Sequence, residues 1–206
     1  MHKFAIQQTT KRMSAKQRKS IIVEAVLSLA DADGPDRLST AAIAEASGLS
    51  HAGIFRHFPT KQDIWIAVAN EIAKNAKTHW AEPLQSTLNP QEKINALVIS
   101  HLEFLSETPA ILTILFSYEL QHANSELRSI FTKLMLQFRD YLANEFALAG
   151  HEKQAQDLAF LVIALVQGLS MRWSISQLNF DLKNEGKRLL KIQLDMIDFN
   201  NKNKGK

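Results

Sequence analysis

The stretch LSTAAIAEASGLSHAGIFRHFPTK, residues 38–61, decides the fold. Ser39 can cap a short helix from about Thr40 to Ser47, and Gly48 breaks it. Ser50 can then cap a second helix of about one and a half turns, ending near His57. Ile43, Ala44, Leu49 and Ile54 supply the apolar contacts between the two. Ala44 is small where the helices must approach, and Gly48 permits the tight turn. Two short helices joined by a glycine-containing turn read as a helix-turn-helix, whose second helix enters a DNA major groove. The helix N-termini at Ser39/Thr40 and Ser50 offer backbone N–H groups to a phosphate.

Outward from this stretch the punctuation is helical throughout. Ser14 and Gln17 form a capping box that opens a helix to about Ala30, with Ile22, Ala25, Val26 and Leu29 on one face. Asp31–Pro35 stops it. Thr60 and Asp63 form a second capping box, opening a helix to about Trp80 with Ile64, Val68 and Ile72 spaced one turn apart. Asn89-Pro90 and Thr108-Pro109 each place proline at a helix start. A long helix runs from Asn124/Ser125 to Gly150, with Leu127, Ile130, Phe131, Leu134, Phe138, Tyr141 and Leu142 as its seam. Two more fill about 152–178 and 181–199, and the polar tail Asn200–Lys206 is expected to fray. No strand and no internal repeat emerges, so the expected architecture is all-α with about nine helices. It divides into a three-helix head at 1–60 and a helical ligand-binding and dimerisation body at 61–206.

The segment 15–65 resembles the TetR/AcrR family of bacterial transcriptional regulators. The resemblance is carried by Ile43-Ala44, Gly48-Leu49-Ser50, Ile54-Phe55, His57-Phe58, Pro59-Thr60-Lys61 and Asp63 in that order. It implies that His51, Ala52 and Gly53 face the bases, with Arg56 at bases or phosphate. It also implies that Ser39, Thr40, Ser50, Phe55, His57 and Lys61 meet the DNA backbone. Arg and Lys suit phosphate oxygens, and a histidine can donate or accept at a base edge. Two positions depart from the family pattern. Phe55 stands where tyrosine is usual, removing a hydroxyl, and Gly53 stands where threonine is usual.

Charge agrees with a DNA-binding head. Residues 1–61 carry nine Lys/Arg against five Asp/Glu, and the rest of the chain carries 15 against 16. A basic arm, Lys11, Arg12, Lys16, Arg18 and Lys19, leads into the first helix and could follow phosphates or reach a minor groove, or simply be solvated. The chain has 206 residues, 46% of them hydrophobic and 22% charged, which suits a globular protein with a sizeable core. It has no cysteine, which excludes disulfides and thiolate metal sites. The longest unbroken apolar run, Leu158–Val166, is far short of a bilayer span, and Met1–Phe4 does not open a signal peptide. The expectation is a cytoplasmic protein with no membrane partner.

Leu158–Val166 is apolar on nearly all sides, so it needs cover from its own chain or from a second subunit. In the resembled family the last two long helices pair with their copies, which points to a homodimer. Its expected contacts here are Leu161, Ala164, Leu165, Gly168, Leu190, Leu194 and Ile197. A ligand pocket is expected among the helices of the body. His101 falls on an apolar face with Phe104, Tyr118 and His122 follow Phe116, and Trp173 lies in an apolar helix. A polar tip in an apolar cavity can orient a small molecule. The chain lacks HExxH, Walker, GxGxxG and GxSxG signatures, so neither enzyme chemistry, nor a metal, nor a cofactor is expected. The reading is a repressor released from a palindromic double-stranded operator by a small, hydrophobic effector. The alternatives are a DNA-binding regulator without an inducer and a helical enzyme or carrier for hydrophobic molecules.

Overall fold

The computed structural model describes residues 13–197. Among them are ten α-helices, one 3-10 turn and no strand. The head is α1 (Ala15–Asp33), the 3-10 turn Pro35–Arg37, α2 (Thr40–Ser47) and α3 (His51–His57). The body is α4 (Lys61–Gln85), α5 (Pro90–Glu107), α6 (Ala110–Phe116), α7 (Tyr118–Ala123), α8 (Ser125–Leu148), α9 (Ala155–Ile175) and α10 (Leu182–Asp195). Lys11, Arg12 and the tail from Asn200 lie outside the described residues.

The capping boxes at Ser14/Gln17 and Thr60/Asp63 form in both directions, and Asn89/Glu92 makes a third. Gly48 ends α2 in the left-handed region at φ 64°, with Leu49 N donating back to Ala44 O at 3.0 Å. The three head helices close on Ile22, Val26, Ile43, Ile54 and Phe58, all buried. That apolar cluster continues without a break into the body through Ile64, Val68 and Ile72 of α4. There α4 packs on α5 and α8, α8 on α9, and α10 lies against α5 and α9. Gly186 sets the last contact, because a Cβ there would overlap Leu102 of α5.

Three segments differ from the sequence expectation. Helix α4 runs on past Trp80 to Gln85 with Pro83 inside it. Proline removes the N–H that would bond the carbonyl of His79. Ser100 Oγ of α5 donates to that carbonyl at 2.6 Å instead, so the helix continues without an orphaned acceptor. The segment after Pro109 divides at Ser117, whose extended backbone ends α6 and whose hydroxyl caps α7 by accepting from Leu120 N. Helix α9 stops at Ile175, where Gln177 and Leu178 take positive φ. Among the described residues it is the one single helix long and apolar enough to cross a membrane, yet its stripe Ala159, Val162, Val166, Leu169 and Trp173 is buried against other helices.

Candidate nucleic-acid interface and internal cavity

The outer surface of α3 is presented by its cap. Ser50 Oγ accepts from Gly53 N at 3.1 Å, and Ile54 turns into the core, which leaves His51, Ala52, Phe55 and Arg56 exposed. Ser39 plays the same part for α2, accepting from Ala42 N at 3.1 Å. The two helices are also tied at the surface. Thr40 Oγ1 and His51 Nε2 lie 2.9 Å apart, and the His51 ring stands edge-on to Phe55 at 4.9 Å. A residue expected at the bases is thus oriented by two expected at the backbone. Gly53 is half-buried, and a Cβ there would sit 3.1 Å from the capping Ser50 Oγ. A threonine at that position would crowd the cap, which gives a local reason for the departure. His57 is half-buried, whereas Arg56 and Lys61 are exposed with no ion-pair partner among the described residues. Lys19 reaches the same end of the head, its ammonium 5.1 Å from the centre of the Phe58 ring.

A cavity of about 240 Å³ lies among α4, α5, α6, α8 and α9. His101, Phe104 and Phe116 are on its wall. The other three pocket expectations are not brought there. Tyr118 is 79% exposed and stacks on His122 at 5.6 Å, because the break at Ser117 turns α7 out to the surface. Trp173 is buried, but its indole N–H donates to Phe180 O at 2.9 Å and closes the turn between α9 and α10. The wall also holds Trp80, Phe138 and Ser170, which the sequence did not assign to a pocket. Ser170 had a signal: it follows Val162 and Val166 at one-turn spacing, a lone hydroxyl on an apolar stripe.

Trp80 Nε1 donates to His101 Nδ1 at 3.3 Å, and Phe138 packs against both rings at 4.8 and 4.7 Å. Burial, with the neighbouring His79 second, lowers the His101 pKa to about 4. The ring is therefore neutral at pH 7. With Nδ1 accepting, its proton is on Nε2. No cluster of metal-ligating side chains occurs among the described residues.

On the opposite side of the body α9 and α10 expose apolar side chains. Leu161 is 56% exposed, with Ala164 and Gly168 on the same open face and Leu165 half-buried. Leu190 and Leu194 are a correction to the expected interface. They continue the stripe Leu182, Gly186, Leu190, Leu194, which is buried within the chain. The open face of α10 carries Ile192 and Met196 instead, and Ile197 is half-buried.

Residues 22–68 match the sequence profile of bacterial regulatory proteins of the tetR family. Over 183 residues the chain is 25% identical to nucleoid occlusion factor SlmA of Salmonella paratyphi B, covering 86% of this chain and 91% of that protein. Its fold is similar to a transcriptional regulator from Rhodococcus sp. Rha1, with a TM-score of 0.76 and 19% identity over 87% of this chain and 95% of that one. It is also similar to the regulator FadR of Bacillus subtilis, solved in complex with stearoyl-CoA. There the TM-score is 0.72, with 17% identity over 86% of this chain and 98% of that one.

Proposed function

We propose that this TetR-family DNA-binding transcriptional regulator is a homodimeric repressor that leaves a palindromic operator when a small molecule fills the cavity of its body. The head, residues 1–60, would place α3 of each protomer in successive major grooves, about 34–36 Å apart or a multiple of that. Base edges would be met by His51, Ala52, Gly53 and Arg56. The backbone would be met by Ser39, Thr40, Ser50, Phe55, His57 and Lys61. The body, residues 61–206, would hold the effector and pair through the open face of α9 and α10. Such a protein works in the cytoplasm, where the DNA is.

The observation that carries the release step is the position of α6. Ile111, Leu112, Leu115 and Phe116 line the cavity, while the Thr113 hydroxyl shares its proton between Ala110 O of its own helix at 2.9 Å and Ala30 O of α1 at 3.2 Å. At its end Ser117 Oγ donates to Asp36 in the turn that leads into α2. One short helix thus touches both the space for a ligand and the head. An effector releases DNA only through its preference for the released state, and about 100-fold weaker DNA binding needs about 2.7 kcal/mol of that preference.

The test is footprinting on the DNA flanking the protein's own gene, followed by anisotropy titration of the protected site with compounds that raise the melting temperature. A palindromic footprint and compound-dependent release are expected. Protection without sequence preference would refute operator recognition, and stabilising compounds that leave DNA affinity unchanged would refute ligand release. A second reading is a DNA-binding protein whose body takes no small molecule. SlmA, matched over most of the chain, is named as a nucleoid occlusion factor and not as a ligand-responsive repressor. Failure of a broad compound set to stabilise the protein would favour it. A helical enzyme or carrier, by contrast, would show no sequence-specific DNA binding.

A further inference from the structure

We propose that the cavity selects an uncharged, largely apolar molecule bearing a single carbonyl-type acceptor, which takes a hydrogen bond from His101 Nε2. The proposal rests on the reading of the cavity as the effector site and adds the chemistry of the effector.

Three observations lead to it. The cavity wall contains no Lys, Arg, Asp or Glu, and its polar side chains are His101, Gln167 and Ser170. A carboxylate or phosphate placed there would have no counter-ion, and an unpaired charge in an apolar site is strongly disfavoured. His101 supplies none, since burial holds it neutral. Its tautomer is set by the protein: Trp80 Nε1 occupies Nδ1, so Nε2 carries the hydrogen and is left as a donor with no partner among the described residues. Ser170 is 2% exposed, and its hydroxyl has no hydrogen-bond partner among the described residues. With almost no accessible surface that hydroxyl lies behind the wall, so His101 is the donor that the cavity itself presents. Gln167 is the poorer candidate, because its amide donates to Met135 Sδ at 3.1 Å.

Size narrows the class further. The 240 Å³ volume corresponds to about eight water-sized groups, so the enclosed part of the ligand has about eight to twelve non-hydrogen atoms, with Phe116, Met135 and Gln167 at an exposed mouth. The aromatic rings of Trp80, Phe104 and Phe138 on the wall favour a ring or a short branched chain beside the acceptor. A small ketone, ester or lactone meets these conditions. A free carboxylic acid, ionised at neutral pH, does not.

The test uses three probes of matched shape on the full-length protein: acetophenone, isopropylbenzene and benzoate. Binding is read by calorimetry, and DNA release is read separately by anisotropy. Acetophenone is expected to bind about tenfold more tightly than isopropylbenzene, the worth of one hydrogen bond in such a site, and benzoate more weakly than both. In His101→Phe the advantage of acetophenone should vanish while isopropylbenzene still binds. Nitrogen NMR of the wild-type protein should find His101 neutral and protonated on Nε2, which checks the donor without any substitution. Benzoate binding as well as acetophenone, an advantage that survives His101→Phe, a proton on Nδ1, or no binding by any probe would each overturn the proposal. If acetophenone binds through His101 and DNA is not released, the cavity chemistry stands and the effector reading fails.

Discussion

Lys61 offers a separation of DNA binding from folding. It occupies the first position of α4, directly after the Thr60/Asp63 capping box, exposed and without an ion-pair partner among the described residues. A cation at a helix N-terminus opposes the helix dipole. Lys61→Ala should therefore leave the fold intact, with a melting temperature unchanged or raised by about 1–2 °C. On DNA the effect has the opposite sign. If each ammonium rests on a phosphate, a dimer loses two contacts, and the slope of log affinity against log salt flattens by about 1.8. A fourfold rise in salt would then weaken the wild type about twelvefold more than the variant. The loss should be similar on operator and on unrelated duplex, because phosphate contacts carry no base information. Arg56→Ala, if Arg56 reads a base, should instead shrink the ratio between the two DNAs. Anisotropy titrations at several potassium chloride concentrations give both slopes. An unchanged slope for Lys61→Ala would refute the placement of this lysine on DNA.

Two further outcomes are expected. Gly168→Leu adds a side chain where a Cβ meets nothing within 4 Å in the single chain, so the monomer should fold as well or slightly better, while sedimentation should show the dimer lost; a dimer that persists would place the interface elsewhere. The second concerns pH. His101 stays neutral in the folded protein down to about 4, whereas the unfolded chain takes up its proton near 6.5. Proton uptake then favours unfolding, so stability falls between about pH 6.5 and 4, by up to about 3 kcal/mol from this group. Denaturant titrations at pH 7 and 5 should show His101→Gln losing about 2 kcal/mol less than wild type; equal losses would mean that His101 takes up its proton as readily in the folded protein as in the unfolded chain.

The head was legible because its signals are local. Ser39, Gly48, Ser50 and Thr60 each act within four residues of themselves, and every one caps or ends a helix where the sequence places it. What was illegible depends on groups distant in the chain. Pro83 reads as a helix stop until Ser100, on another helix, takes over the freed carbonyl of His79. Ser117 reads as interior to a helix until Asp36 supplies a partner 81 residues away. The same limit applies to the cavity. His101 stood out as a polar residue on an apolar face, but Trp80, which fixes its tautomer, entered only as the approximate end of a helix. The faces of α10 were misassigned because Leu and Ile lie on both sides of it, and only packing on α5 shows that Leu190 and Leu194 are the inner ones.

The contacts of α6 also limit how large the response to a ligand can be. Its two side-chain hydrogen bonds to the head are unequal: Thr113 shares one hydroxyl proton between Ala30 O at 3.2 Å and Ala110 O at 2.9 Å and contributes less than about 1 kcal/mol, whereas the bond from Ser117 to Asp36 is worth about 1 kcal/mol, raised by the carboxylate charge but screened because Asp36 is exposed. Together they could carry about 1–2 kcal/mol of coupling, enough to change DNA affinity about 5- to 30-fold. A switch from 1:99 to 99:1 needs about 5.5 kcal/mol. The remainder would have to come from the apolar contact of α6 with α1, where Ile114 is fully buried. Removing the Asp36 carboxylate should therefore reduce the response to an effector without abolishing it, while the cap that Ser117 gives α7 remains in place.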